Sequence, residues 1–118
     1  MENISPVYAR IVLRELAADG IEATVLDLRS LMPLDRETLL AVASHCGKVL
    51  IAHEDSRTGG IGESLAAVIQ EEVFEALDAP VRIVGALDAP VPYSPPLEDY
   101  FLANVDRIER AARLLIDY

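Results

Sequence analysis

The sequence has very little of several features that define specialised protein classes. Among its 118 residues there is one cysteine, Cys46, and no tryptophan. A single cysteine excludes an internal disulfide framework and is typical of proteins from a reducing compartment. No apolar run approaches the roughly 20 residues that a membrane-spanning helix needs, and residues 1–4 lack the basic and apolar regions of a secretory signal. These absences predict a soluble cytoplasmic protein.

Basic residues are also scarce. Ten lysines and arginines stand against twenty aspartates and glutamates, which gives a formal net charge of −10. Such a chain gains nothing from the counterion release that drives binding to nucleic acid, and an anionic membrane surface would repel it. The charge therefore argues against nucleic-acid and membrane partners, whereas a basic protein partner fits it. Solubility alone explains the charge equally well, so both interpretations stay open.

Apolar residues, in contrast, are plentiful, and their spacing predicts the fold. They make up 52% of a chain whose length fits one domain, residues 1–118. Four segments place apolar residues at helical intervals. The predicted helix starts are Ser5-Pro6, Asp35, the glycine turn at 58–62, and Asn104.

Three segments between these helices are predicted to be strands. Residues 21–28 alternate between apolar and polar, with Val25 on the predicted inner face. Residues 49–52 form a continuous apolar run, which is typical of a strand buried on both faces, and residues 81–84 form a short third strand. Strands that alternate with helices favour right-handed crossovers and a mainly parallel sheet covered on both faces. Because three strands make a thin sheet for four helices, we expect one more strand before Ser5, lost from this chain or lying outside it.

His53, Glu54 and Asp55 follow the predicted buried strand, at the edge where open α/β sheets usually bind ligands. A histidine beside carboxylates can relay protons or orient a ligand. The alternative is a packed histidine that hydrogen-bonds to a neighbouring loop. No metal site is predicted, because the only other histidine, His45, lies at a helix end and there is no second cluster of Cys or His.

The turn formed by Thr58, Gly59, Gly60, Ile61 and Gly62 precedes the third predicted helix. Backbone N–H groups at such a helix start can bind an anion. The turn matches neither a phosphate-binding loop nor a dinucleotide-binding turn, because it lacks the lysine and the glycine spacing that those motifs need. The alternative is that the glycines permit tight packing between helix and strand. Because no cysteine or serine has the sequence context of a nucleophile, no catalytic residue is predicted.

Six motifs follow one another over nearly the whole chain: GIEATVLDLR at 20–29, PLD at 33–35, GKVLIAHED at 47–55, RTGGIG at 57–62, LDAPVR at 77–82 and PYSPPLE at 92–98. In order and spacing they resemble the C-terminal domain of transketolase-like proteins, specifically the beta subunit of thiamine-diphosphate-dependent 2-oxoacid dehydrogenases of the pyruvate and branched-chain types. The resemblance implies a three-layer α/β/α domain in which a strand before the first helix has a central place, and residues 1–4 do not resemble that strand. Related transketolase or deoxyxylulose-phosphate synthase domains are alternatives that the motifs at 57–62 and 92–98 disfavour.

The resemblance also implies a role. In the family, the parent enzyme decarboxylates a 2-oxoacid and passes the acyl group to a lipoyl arm. Thiamine diphosphate and Mg²⁺ are held by the alpha subunit and by the N-terminal domain of the beta subunit, so this chain would bind no cofactor and be inactive alone. The implied partners are the alpha and beta subunits of the same dehydrogenase and the subunit-binding domain of the dihydrolipoyl acyltransferase. The implied docking clamp consists of Asp78 and the C-terminal carboxylate of Tyr118.

The other candidate site residues would then face the neighbouring domain and have structural roles; they are His53, Glu54, Thr58, Gly59, Gly60 and Gly62. Their direct contribution to a substrate or cofactor site is the alternative from the enzyme class. The alternative for Asp78 is a structural role in the turn after a helix, because Asp-Ala-Pro is a common type of sequence at such turns.

Overall fold

Helices and strands alternate in the part of the chain that the structure describes. The computed structural model describes residues 6–28, 34–88 and 104–118, so the further strand expected before Ser5 and the motif at 92–98 lie outside these ranges. The elements are, in order, α1 (Pro6–Ala18), α2 (Arg36–Cys46), β1 (Leu50–Ser56), α3 (Ile61–Val73), a 3-10 turn (Phe74–Ala76), β2 (Arg82–Ala86) and α4 (Val105–Ile116). All four predicted helices are present, and the strand predicted at 81–84 is β2. None of the described helices is long and apolar enough to cross a membrane.

Local side-chain chemistry explains where α2 and α4 begin. Asp35 accepts hydrogen bonds from the backbone N–H of Thr38 at 3.1 Å and from the hydroxyl of the same residue at 2.8 Å. Asn104 accepts in the same way from the backbone N–H of Arg107 at 2.9 Å. Each backbone bond satisfies an N–H group that has no partner within the helix, and both predicted starts are confirmed. The backbone bond from Thr38 is the main cause of a lowered pKa of Asp35, and the hydroxyl bond adds to it, because both stabilise the charged form of the carboxyl group.

β1 and β2 form a parallel pair, which confirms the prediction of a parallel sheet. Ala52 lies opposite Val84, and the register then shifts between Ala52 and Ser56. Successive side chains of a strand point to opposite faces. Accordingly, Leu50 and Ala52 pack into one apolar cluster and Ile51 packs into another. The strand predicted at 49–52 is β1 and contributes to cores on both faces. It continues to Ser56, so the prediction that His53, Glu54 and Asp55 follow the strand is wrong, and these residues lie within it.

Two apolar clusters fill the space between these strands and the helices. One joins the strands to α1 and α4 and is built on Val12, Leu16, Val84 and Ile108. The other joins them to α2 and α3 and is built on Leu39, Ala43, Leu65 and Ile69, of which Ile69 is completely buried. Helices thus cover both faces of the strands, which confirms the three-layer α/β/α architecture.

The prediction of a strand at residues 21–28 is wrong. These residues adopt no strand and pair with no described strand. Val25, on the predicted inner face, is 51% exposed. Leu26 and Leu28 instead pack against the apolar cluster that joins the strands to α2 and α3. A strand needs ladder hydrogen bonds to a neighbour, and an alternating pattern cannot supply that neighbour. The sheet of the described part therefore has two strands and not the three predicted.

Candidate functional site at the carboxyl end of the strands

His53 lies in β1 and is almost completely buried, with 3% of its surface exposed. Its Nδ1 atom is 3.1 Å from the backbone oxygen of Asp55. Because a carbonyl oxygen only accepts, we assign the proton of this bond to Nδ1. Nε2 is then an acceptor, and it has no hydrogen-bond partner among the described residues, although buried polar atoms normally have one. This burial favours a packed, hydrogen-bonded His53 over a residue open to substrate.

Three glycines surround the imidazole, two of them at the start of α3 and one in β2. Gly60 ends the turn before α3, Gly62 lies in the first turn of α3, and Gly85 lies in β2. A β-carbon at Gly62 would overlap with Nε2 of His53 and lie 2.8 Å from Cδ2, and one at Gly85 would lie 2.7 Å from Cε1. At Gly60 the corresponding distance to Cε1 is 3.1 Å. The imidazole therefore fills the space that side chains at Gly62 and Gly85 would need, whereas a β-carbon at Gly60 would first overlap with the backbone oxygen of Ser56. This favours a packing role for the glycines over an anion-binding turn.

Hydrogen bonds join the loops that follow the two strands. The backbone N–H of Arg57 donates to the oxygen of Ala86 at 3.0 Å. The backbone N–H of Thr58 donates to Oδ1 of Asp88 at 3.0 Å, and the Thr58 hydroxyl donates to Oδ2. The hydroxyl bond is the main cause of a pKa of Asp88 below its ordinary value, and the backbone bond adds to this effect. The turn above His53 is thereby fastened to the end of β2.

The remaining residues predicted for this site lie on the surface. Glu54, Thr58 and Gly59 are exposed, and so are His45 and Cys46 at the end of α2. Within the described ranges, no three His, Cys, Asp or Glu side chains are placed to hold a metal ion together. The carboxyl end of the strands thus consists of a buried imidazole below a hydrogen-bonded surface turn.

Asp78 lies at the opposite end of the strands, in the segment that leads into β2. Its backbone N–H donates to the oxygen of Gly47 at 2.7 Å, and its exposed carboxylate lies so close that a β-carbon at Gly47 would overlap with it. Lys48, the residue after Gly47, donates from Nζ to the backbone oxygen of Ile116 at 2.8 Å. Tyr118, at the end of the same C-terminal segment, is 67% exposed. The segment of Asp78 therefore contacts Gly47, and the C-terminal segment of Tyr118 contacts Lys48, so both segments meet neighbouring residues just before β1.

Sequence reasoning missed two residues of the carboxyl-end site, Gly85 and Asp88. Gly85 gave a signal, because a glycine inside a short strand often marks the close approach of another group. Asp88 follows β2 and so lies at the same edge as the residues after β1. Nothing in the local sequence indicates that its carboxylate binds Thr58.

Comparisons with known proteins agree with this architecture. The family model described as "Transketolase, C-terminal domain" matches residues 8–108. A solved structure described as a split gene transketolase, inactive beta4 tetramer, superposes with a TM-score of 0.77 and 32% sequence identity. The superposition covers 94% of this chain and 34% of that chain.

Curated relatives extend the comparison. The 2-oxoisovalerate dehydrogenase subunit beta of Bacillus subtilis (strain 168) is 41% identical over 112 residues, which are 94% of this chain and 34% of the relative. The pyruvate dehydrogenase E1 component subunit beta of Chaetosphaeridium globosum is 42% identical over 96 residues, 81% of this chain and 29% of the relative. The beta subunit of the acetoin:2,6-dichlorophenolindophenol oxidoreductase of Cupriavidus necator is 38% identical over 83% of this chain and 29% of the relative. The chain spans about a third of the length of these relatives. It belongs to the transketolase C-terminal domain family, and over most of its length it is similar to beta subunits of pyruvate and 2-oxoisovalerate dehydrogenases.

Proposed function

We propose that this chain is the assembly and docking domain of a 2-oxoacid dehydrogenase beta subunit and that it contributes no catalytic residue. The observation that carries the proposal is the exposed carboxylate of Asp78 beside Gly47, with Lys48 bound to the C-terminal segment next to it. A chain of net charge −10 that presents carboxylates in this way fits a basic protein surface.

The catalytic chemistry is assigned to other parts of the parent enzyme. When bound, thiamine diphosphate supplies the electron sink for 2-oxoacid decarboxylation. Its Mg²⁺ is usually held by one or two carboxylates together with the phosphates of the bound molecule. His53 is also closed off by Gly60, Gly62 and Gly85. The family resemblance implies that the alpha subunit and the rest of the beta subunit hold the cofactor, and this proposal adopts that assignment.

The proposed docking clamp consists of Asp78 and Tyr118, the two residues that the family resemblance implies. The partner is the subunit-binding domain of a dihydrolipoyl acyltransferase, whose arginine or lysine side chains would pair with both. Lys48 donates to the oxygen of Ile116, and among the described residues it forms no ion pair with Asp78. The alpha subunit and a second beta subunit are proposed to pack on other faces, including the surface turn at Thr58.

Calorimetric titration of the chain with such a subunit-binding domain tests the clamp. Asp78→Ala is expected to raise Kd about tenfold or more, since close charge pairs across an interface couple by roughly 1.5 kcal/mol or more. Glu22→Ala is the matched control, because it removes an exposed carboxylate from the segment at 21–28. A Kd for Asp78→Ala equal to that of the control would contradict the clamp.

A direct contribution of the carboxyl-end site to catalysis is the second candidate, and the unpartnered Nε2 of His53 is the observation that favours it. His53→Ala in the complete dehydrogenase separates the two candidates. A lower kcat with a normal amount of assembled enzyme would support the catalytic role. Unchanged kinetics would remove it.

A further inference from the structure

Phe74 is the first residue of the 3-10 turn after α3, and 66% of its surface is exposed. An aromatic ring this large is usually placed against other apolar groups. Phe74 lines two shallow, open depressions, each of about 460 Å³. Glu71 lines both of them, and Ser44 at the end of α2 lines one. Phe74 therefore borders two open surfaces that also have acidic residues in their lining.

Acidic residues predominate in the segment that contains Phe74. Residues 71–78 include four acidic side chains and no basic one: Glu71, Glu72, Glu75 and Asp78. Arg36 pairs with Glu72 at 2.6 Å. In the part of the chain that the structure describes, the other three carboxylates have no ion-pair partner. We call the surface of Glu71, Phe74, Glu75 and Asp78 the acidic aromatic face.

The acidic aromatic face is continuous with the residues of the docking clamp. The oxygen of Ala76, in the 3-10 turn, and the carboxylate of Asp78 both lie beside the α-carbon of Gly47. Gly47 ends α2, and Ser44 of the same helix lines the depression beside Phe74. A partner that pairs with Asp78 is therefore next to the 3-10 turn that begins at Phe74.

We propose that the acidic aromatic face binds an arginine-bearing segment of the docking partner, with one guanidinium stacked on Phe74 and paired with Glu71 or Glu75. This inference rests on the proposed docking function and extends the docking surface beyond Asp78. A guanidinium is planar and weakly hydrated, so it can lie on an aromatic ring while its N–H groups pair with a carboxylate.

The negative charge of the acidic aromatic face argues against two other binding partners. An apolar segment on Phe74 would bury the neighbouring carboxylates without a partner, which is unfavourable. A second copy of this chain would bring another net charge of −10 to an acidic face. A partner that presents arginine satisfies both the ring and the carboxylates.

Titration of the chain with the subunit-binding domain of a dihydrolipoyl acyltransferase also tests this inference. Phe74→Ala is expected to weaken binding by about 3- to 30-fold, which is the range for a cation on an aromatic ring as it loses water. Phe74→Tyr keeps the aromatic face and should bind like wild type, whereas Phe74→Leu keeps only apolar bulk and should bind like Phe74→Ala. Leu114→Ala is the matched control, because Leu114 is 68% exposed on α4.

The outcomes separate this inference from the function on which it rests. If the wild-type chain does not bind, both are overturned. If Asp78→Ala weakens binding while Phe74→Ala does not, the docking function stands and the role of Phe74 is overturned. If Phe74→Leu binds like wild type, the stacked arginine is overturned. Weak binding by the Ala and Leu variants together with normal binding by Phe74→Tyr and Leu114→Ala supports the inference.

Discussion

Replacement of Gly62 by alanine is expected to destabilise the chain through the imidazole of His53. The new methyl group would overlap with Nε2 and lie 2.8 Å from Cδ2 of the ring and 2.9 Å from Cγ2 of Ile83. Real β-carbons almost never approach other atoms this closely, so the ring or the helix must move. The ring has little space to move, because Gly60 and Gly85 enclose its other edge at Cε1.

Two opposing effects set the magnitude. Extra volume in a packed region costs about 1–3 kcal/mol. Alanine is favoured over glycine in a helix by up to about 1 kcal/mol, and less near the helix start, where Gly62 lies. The overpacking is the larger effect, so Gly62→Ala should lower the free energy of unfolding by about 1–2 kcal/mol.

A double-mutant cycle with His53→Ala, measured by urea unfolding, identifies the imidazole as the cause. His53→Ala is destabilising by itself because it leaves a cavity, but it makes room for the methyl group. The two substitutions together should therefore be more stable than their sum predicts, by about 1 kcal/mol or more. Gly59→Ala is the control: its φ of 72° disfavours alanine, but nothing lies within 4 Å of the new β-carbon, so His53→Ala should not change its effect. Wild-type stability for Gly62→Ala, or strict additivity with His53→Ala, would refute the reasoning.

Two further predictions concern hydrogen bonds that the structure resolves. The pKa of Asp88 is below its ordinary value of 3.8, so the stability that its bonds to Thr58 contribute is complete above that value and is lost as the pH falls through the lower folded pKa. Asp88→Asn should reduce the loss of unfolding free energy between pH 6 and pH 3 in urea titrations, and an unchanged loss would contradict the assignment. Asn104→Ala should lower the free energy of unfolding by about 1 kcal/mol, because it leaves the N–H of Arg107 without its cap, while Asn104→Asp, which can still cap, should stay near wild type. Equal stability of the two Asn104 variants in thermal unfolding would show that the cap does not contribute.

Helix ends could be predicted from the sequence because their chemistry is local. The side chain of Asp35 reaches the backbone of Thr38, and Asn104 reaches Arg107, so both partners lie within one turn. Gly47 ends α2 through its own left-handed conformation, with a φ of 74°. Such signals need no information about distant parts of the chain.

Strand predictions depended on partners that the pattern does not contain. The run at 49–52 predicts a strand because a segment that is apolar on both sides needs helices on both faces, and the sequence supplies those helices. The run does not predict the end of the strand, because β1 continues through polar residues to Ser56, and residues 49–52 are half-buried instead of buried. The segment at 21–28 has an equally clear alternation, but alternation does not specify an adjacent strand with which the segment could form backbone hydrogen bonds. Its exposed Val25 shows that alternation alone does not bury a face.

The site was the hardest part to predict, because the imidazole and its three glycines come from separate elements. Gly60, Gly62 and Gly85 do not have the positive φ that turn glycines often need, so it is their missing side chains that matter. The ring of His53 fills the space that they leave, at the edge where open α/β sheets usually hold a ligand. An edge that is filled by the chain's own side chain is poorly suited to bind a substrate. The exposed carboxylates at the amino end of the strands, around Asp78, are better suited to contact another molecule, and this contrast between the two ends favours docking over catalysis.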